Sequence, residues 1–146
     1  MSVPHERFWA ELPLGRDVTL LSHDANGLAA LAKPAGVLSH PNEIGDEPRS
    51  LLTVRYAQDG ELFDWTDTDG ANRRLWLLNR LDSATSGVIL AAADPELATE
   101  IRAQFKRKQV RKIYYALVFG GPRQAMEIWR DLLAVDKRNG KICDAT

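Results

Sequence analysis

Three short apolar runs, at residues 27–32, 75–80 and 87–93, constrain this chain more than any other feature. Each is bounded by turn-forming residues and is too short to stand as a helix, so each reads as a strand, the last two buried. Residues 17–22 read as a strand paired with 27–32 through Asp24-Ala25-Asn26-Gly27, because Asn-Gly supplies the positive φ of a tight hairpin. Residues 113–119, rich in Tyr, Val and Phe and closed by Gly120-Gly121-Pro122, read as a further strand. One helix is well marked. Asp94 is its N-cap, Pro95 its first residue, and Leu97, Ile101 and Phe105 share one face through about Gln109. A second, short helix is expected over residues 48–58, with Pro48 in its first turn and Leu51, Leu52 and Val54 inward. Residues 59–72 are acidic and turn-rich and read as an exposed loop or irregular hairpin, while 1–15 read as an arm or loop. Strands and helices alternate without a strict βαβ rhythm, which predicts an α+β fold: a mixed, largely antiparallel sheet with flanking helices.

Composition closes off several classes of function. With 146 residues, 45% hydrophobic and 27% charged, the chain has the make-up of a globular domain. No apolar run approaches the ~18 residues of a membrane span, and residues 1–10 lack the basic start and apolar core of a signal peptide. A single cysteine, Cys143, permits neither a disulfide framework nor a thiolate zinc cluster, which predicts a reducing cytoplasm. His5, His23 and His40 lie too far apart for metal-ligand spacing, and Asp64, Asp67, Asp69 and Gly70 fail the calcium-loop pattern at Trp65 and Trp76. No metal and no membrane partner are expected. The charge is polarised: residues 1–72 carry 5 basic against 12 acidic side chains, residues 73–146 carry 14 against 8. A basic half favours phosphate partners, although two differently solvated faces give the same count.

Three segments carry candidate chemistry. Asp82 follows an apolar strand, two residues after Arg80, and precedes the small and hydroxyl side chains Ser83-Ala84-Thr85-Ser86-Gly87. In an extended segment Arg80 and Asp82 share a side, so the pair is either an ionised carboxylate poised as a nucleophile or a structural ion pair. Arg102, Lys106, Arg107, Lys108, Arg111 and Lys112 place six positive charges in eleven residues. They run from a helix C-terminus, where cations favour the dipole, into Tyr114 and Tyr115, whose rings can stack on a base. Lys33-Pro34-Ala35-Gly36 is a sharp turn out of a strand, with Lys33 as a candidate phosphate contact.

In this order the segments resemble the RluA-type pseudouridine synthases. Ala32-Lys33-Pro34-Ala35-Gly36 resembles the family's early Lys-Pro-x-Gly loop, Arg80-Leu81-Asp82 through Thr85-Ser86-Gly87 its Arg-Leu-Asp…Thr-Ser-Gly motif, and Lys112-Ile113-Tyr114 with Ala116-Leu117-Val118 its Lys-x-Tyr strand. The resemblance implies that uridine in structured RNA, ribosomal or transfer, is isomerised to pseudouridine, with Asp82 as nucleophile, Arg80 helping to extrude the uridine and Tyr114 packing on the base. It implies neither metal nor organic cofactor, and an RNA face formed by Lys33, Arg102, Lys106, Arg107, Lys108, Arg111 and Lys112. A base within folded RNA must be flipped out to be reached, which accounts for cations beside a stacking ring. Asn79 stands where many relatives have His, and the family's later Gly-Arg-x-His-Gln-x-Arg segment has no match. The expected organisation is an arm over 1–16 and an incomplete catalytic domain over 17–146. An RNA-binding remnant without turnover, and a small interaction domain with a purely structural Arg80–Asp82 pair, are the alternatives.

Overall fold

The computed structural model describes residues 6–121, 123–126, 128, 132–135 and 142–144, in two compact units, 1–111 and 112–146. The first unit is built on six antiparallel strands: β1 (Thr19–His23), β2 (Leu28–Lys33), β3 (Arg55–Ala57), β4 (Leu62–Thr66), β5 (Asn72–Leu77) and β6 (Gly87–Ala92). Their order across the sheet is β1-β2-β6-β5-β4-β3. Among the described residues, parallel pairing is limited to one isolated bridge, Leu38 to Ser50. β1 and β2 form the expected hairpin, with Gly27 at φ 92° and the Asp24 carboxylate accepting the backbone N–H groups of Asn26 and Leu28. β3, β4 and β5 form a meander.

Strand parity sorts the core. Ala29, Leu31, Phe63, Leu75, Leu77, Ile89 and Ala91 lie on one face, packed with Trp9, Leu12, Leu51 and Leu52. Leu28, Trp76, Leu90 and Ala92 take the opposite parity and meet α2 (Pro95–Lys106) through Leu97, Ala98, Ile101 and Phe105. α2 starts as its sequence dictates: Asp94, in extended backbone, accepts the N–H groups of Glu96 and Leu97 at 2.9 Å, and Pro95 follows. It ends at Lys106, a little before the expected Gln109.

Three expectations need correction. Residues 48–58 are not a helix: a 3-10 turn at Glu47–Arg49 gives way to irregular chain and then β3. Leu51 and Leu52 are indeed fully buried, but the ladder that β3 forms with β4, and the bridge from Leu14 to Leu52, override a local helical pattern. Of the stretch 1–15, the described residues 6–15 are no free arm, because α1 (Glu6–Ala10) buries Trp9, and Leu12 joins the same cluster. The acidic stretch 59–72 contains β4, whose Phe63 is fully buried, so the irregular-hairpin alternative comes nearer than the loop. At its tip the Asp67 carboxylate accepts the N–H groups of Asp69 and Ala71 and pairs with Arg73 at 2.6 Å. These bonds, the one from Ala71 foremost, hold its pKa below the usual carboxylate value.

The second unit contains β7 (Leu133–Val135) and β8 (Ile142–Asp144), paired antiparallel. Residues 113–119 are not a strand, a further correction. A strand must hand its N–H and C=O groups to a neighbour, and among the described residues this run joins no ladder. Ile113, Tyr114, Tyr115, Leu117, Val118 and Phe119 are exposed.

Candidate active site

β2 and β6 are neighbours in a register that sets Lys33, the last residue of β2, opposite Gly87, the first of β6. The loop leaving β2 and the loop entering β6 therefore emerge side by side. The first carries Pro34 to His40 and the second Arg80 to Ser86, so the two sequence motifs meet because of strand register.

They are stitched together around Asp82. Ser39, buried, uses its hydroxyl twice: Oγ donates to the Leu81 carbonyl at 2.6 Å and accepts the Leu81 N–H at 2.9 Å. On the other side the Ser83 carbonyl accepts the Gly36 N–H at 2.7 Å and Lys33 Nζ at 3.2 Å. Gly36 sits at φ +87°, a left-handed conformation that favours glycine, which is why the Pro-x-Gly turn can offer that N–H. Asn79 secures the approach, donating from Nδ2 to the Val88 carbonyl and accepting the Leu90 N–H at Oδ1, as a backbone group in the ladder would. Asp82 is thus held between two pinned neighbours. Its own side chain is exposed and, among the described residues, takes part in no ion pair and no side-chain hydrogen bond.

Arg80 and Asp82 line one pocket of about 580 Å³, together with Leu38, Ser39, His40, Asn42, Leu81 and Ser83. The two do not pair with each other. Arg80 instead donates from Nη1 to His40 Nε2 at 3.3 Å. The reading of Arg80 and Asp82 as a structural ion pair therefore finds no support.

Two residues expected on an RNA face are placed elsewhere. Lys33 is 1% exposed, and its Nζ donates to the carbonyls of Pro34, Val37 and Ser83. The ammonium is fully used, and it lies inside because β2 alternates: Ala29, Leu31 and Lys33 share the inward face. That parity was the sequence signal for it. Burial lowers the Lys33 pKa from its ordinary value, and the charge of Asp82 partly restores it. Arg102 is likewise occupied, its guanidinium donating to the carbonyls of Leu77, Gly60 and Glu61 with the shortest bond at 2.6 Å. It ties α2 to the β4–β5 region. Lys106, Arg107, Lys108 and Arg111 are exposed at and just beyond the C-terminus of α2, as a phosphate-facing surface requires. Lys112 and Tyr114 belong to the second unit, both exposed.

Sequence reasoning missed Ser39, His40 and Asn42. Only the Lys-Pro-Ala-Gly turn six positions upstream hints at them, since a turn that reverses the chain at the end of β2 brings the residues after it back to the sheet edge.

Residues 27–145 match the RNA pseudouridylate synthase family. The chain belongs to it. Among curated relatives of this family, the tRNA pseudouridine synthase C of Haemophilus ducreyi is 34% identical over 93 residues, covering 64% of this chain and 34% of the relative. The enzyme of that name from Pasteurella multocida is 37% identical over 93 residues, with the same coverage. An uncharacterized RNA pseudouridine synthase of Chlorobaculum parvum is 29% identical over 125 residues, 86% of this chain and 37% of the relative. The chain spans about a third of the length of these relatives. No solved structure matches it significantly. The pocket of about 580 Å³ brings together the Asp82 carboxylate and the Arg80 guanidinium.

Proposed function

We propose that this chain contributes the nucleophile-bearing part of an RNA pseudouridine synthase, with Asp82 attacking a flipped-out uridine. The observation that carries the reading is an exposed carboxylate, unpaired among the described residues, that lines a pocket of about 580 Å³ and is held between two residues whose backbones are pinned. An exposed carboxylate is open to an incoming base, and one on a loose loop would lose the proximity on which such catalysis depends. The isomerisation breaks C1′–N1, forms C1′–C5 and, in sum, moves one proton from C5 to N1. Atoms and electrons balance within the uridine, so no redox partner is required. Arg80, at the pocket's edge, can take the place of a stacked neighbour or hold a phosphate while the base is turned out. Lys106, Arg107, Lys108 and Arg111 supply sequence-independent attraction to the backbone. Structured RNA is the substrate class, and the names of the relatives favour transfer over ribosomal RNA.

The test is chemical mapping of pseudouridine in RNA incubated with the chain and with Asp82→Asn. Asparagine keeps size and polarity but cannot act as a carboxylate nucleophile, so modification should vanish while RNA affinity stays within about twofold. Because the Asp82 side chain is unpaired among the described residues, its melting temperature should hardly move. Modification by Asp82→Asn would remove Asp82 from the chemistry. RNA binding without any modification by the parent chain would favour the remnant that binds without turnover.

A further inference from the structure

His40 is the residue in the pocket whose part is undefined, and its partners fix its chemical state. Its Nδ1 lies 2.9 Å from the Pro41 carbonyl, which can only accept, so Nδ1 must carry the proton. Its Nε2 lies 3.3 Å from Arg80 Nη1, which can only donate, so Nε2 must offer a lone pair. The ring is stacked on Tyr56 of β3, with centroids 4.5 Å apart and planes 6° from parallel, and in this orientation both ring nitrogens have partners. Gln58, just past β3, reaches the same Pro41 carbonyl at 3.5 Å.

We propose that His40 is a positioning residue for Arg80: as the neutral, Nδ1-protonated imidazole it holds the guanidinium at the mouth of the Asp82 pocket, and a second proton releases it. Protonation would remove the acceptor and set two cations 3.3 Å apart. The titratable and charged groups about the ring are Tyr56 from β3, and Arg80 and Asp82 from the loop between β5 and β6. Tyr56 stays neutral at the pH values concerned, since burial pushes its phenol up to about 12. Asp82 lines the same pocket, but among the described residues the charged group hydrogen-bonded to the ring is Arg80. The coupling proposed is between one imidazole and one guanidinium. That release of Arg80 slows catalysis rests on the proposed function, whereas the coupling itself does not.

Nitrogen-15 NMR of the whole chain across pH tests both parts. The neutral His40 ring should carry its proton on Nδ1, and the Arg80 Nε signal should shift with the midpoint of the His40 ring. His40→Gln keeps an acceptor that does not titrate, so Arg80 should stay near its native position and lose the pH response. His40→Phe keeps a ring on Tyr56 but offers no acceptor, so the Arg80 signal should move to that of a free arginine at every pH. A proton on Nε2 overturns the proposal, and so does an Arg80 signal that titrates equally in His40→Gln. Should His40→Phe fail to fold, the native titration and His40→Gln decide alone. Rates of pseudouridine formation form the second arm: about tenfold lower per pH unit below the midpoint in the native chain, and flat in His40→Gln. Absence of modification at every pH would strike the proposed function, while the NMR arm would still decide whether His40 governs Arg80.

Discussion

Ser39→Ala is the sharpest test of how the Asp82 loop is held. The substitution removes one oxygen that makes two hydrogen bonds, at 2.6 Å to the Leu81 carbonyl and 2.9 Å from the Leu81 N–H, in a position 6% exposed. Each backbone group left without a partner costs about 1–3 kcal/mol when buried. Leu81 is only half-buried, so water can reach it in part, and the lower end applies: about 2–3 kcal/mol for the two together. With a urea slope of ~1–3 kcal/mol per molar, the unfolding midpoint should fall by about 1 M. Exchange of the Leu81 amide should quicken by about ten- to a hundredfold, since ~1.4 kcal/mol is a factor of ten. Ser86→Ala is the control, because Ser86 is exposed and makes no hydrogen bond among the described residues; it should stay within ~0.5 kcal/mol of the parent. A Ser39→Ala chain with parental stability and unchanged Leu81 exchange would refute the claim that Ser39 pins the loop.

Arg102→Met keeps the apolar stem but surrenders the bonds to the carbonyls of Leu77, Gly60 and Glu61, so unfolding should be easier by about 2–4 kcal/mol while the salt dependence of RNA binding is unchanged. Replacing Lys106, Arg107 and Lys108 together with alanine should do the reverse: stability nearly constant, and a slope of log affinity against log salt shallower by ~2–3 in filter binding. An unchanged slope would reduce that run to a solvated helix end. Tyr56 predicts an alkaline loss of stability. Its folded pKa is about 12, raised from 10.0 chiefly by burial and then by Glu61, against the pull of Arg80 and Arg102. The unfolded chain therefore loses this proton first, and the contribution present below pH 10 drains away as pH rises toward 12. Tyr56→Phe should abolish that decline in melting curves across pH. At neutral pH it should be neutral or slightly stabilising, because Oη is buried without a partner among the described residues.

What the chain determines locally is legible in its sequence. Asn26-Gly27 makes a turn because glycine takes positive φ cheaply, and Asp94-Pro95 opens a helix because each residue meets a need of the first turn. The stripe of Leu97, Ile101 and Phe105, and the runs that became β2 and β6, follow from periodicity over a few residues, whereas the run at 75–80 only overlaps β5, which spans Asn72–Leu77. The two motif segments, with Arg80 and Asp82, could also be read there, and so could the burial of Lys33 had its parity with Leu31 been followed. Tertiary structure decided the rest. Leu51 and Leu52 lie in the core without a helix, because bridges to residues far along the chain set that backbone. Arg102 turns to carbonyls some 25 to 42 positions away rather than to the basic run it belongs to in sequence. Residues 113–119 have the composition of a strand, but composition cannot supply the partner whose N–H and C=O groups a ladder needs. Above all, the meeting of Ser39 and His40 with Leu81 and Arg80, 42 and 40 positions apart, depends on β2 lying beside β6 with Lys33 opposite Gly87. Register is settled by which faces of two distant strands can be buried together, and a slip of one residue would turn Lys33 outward and Ala32 inward. That long-range choice places the pocket, and no local pattern encodes it.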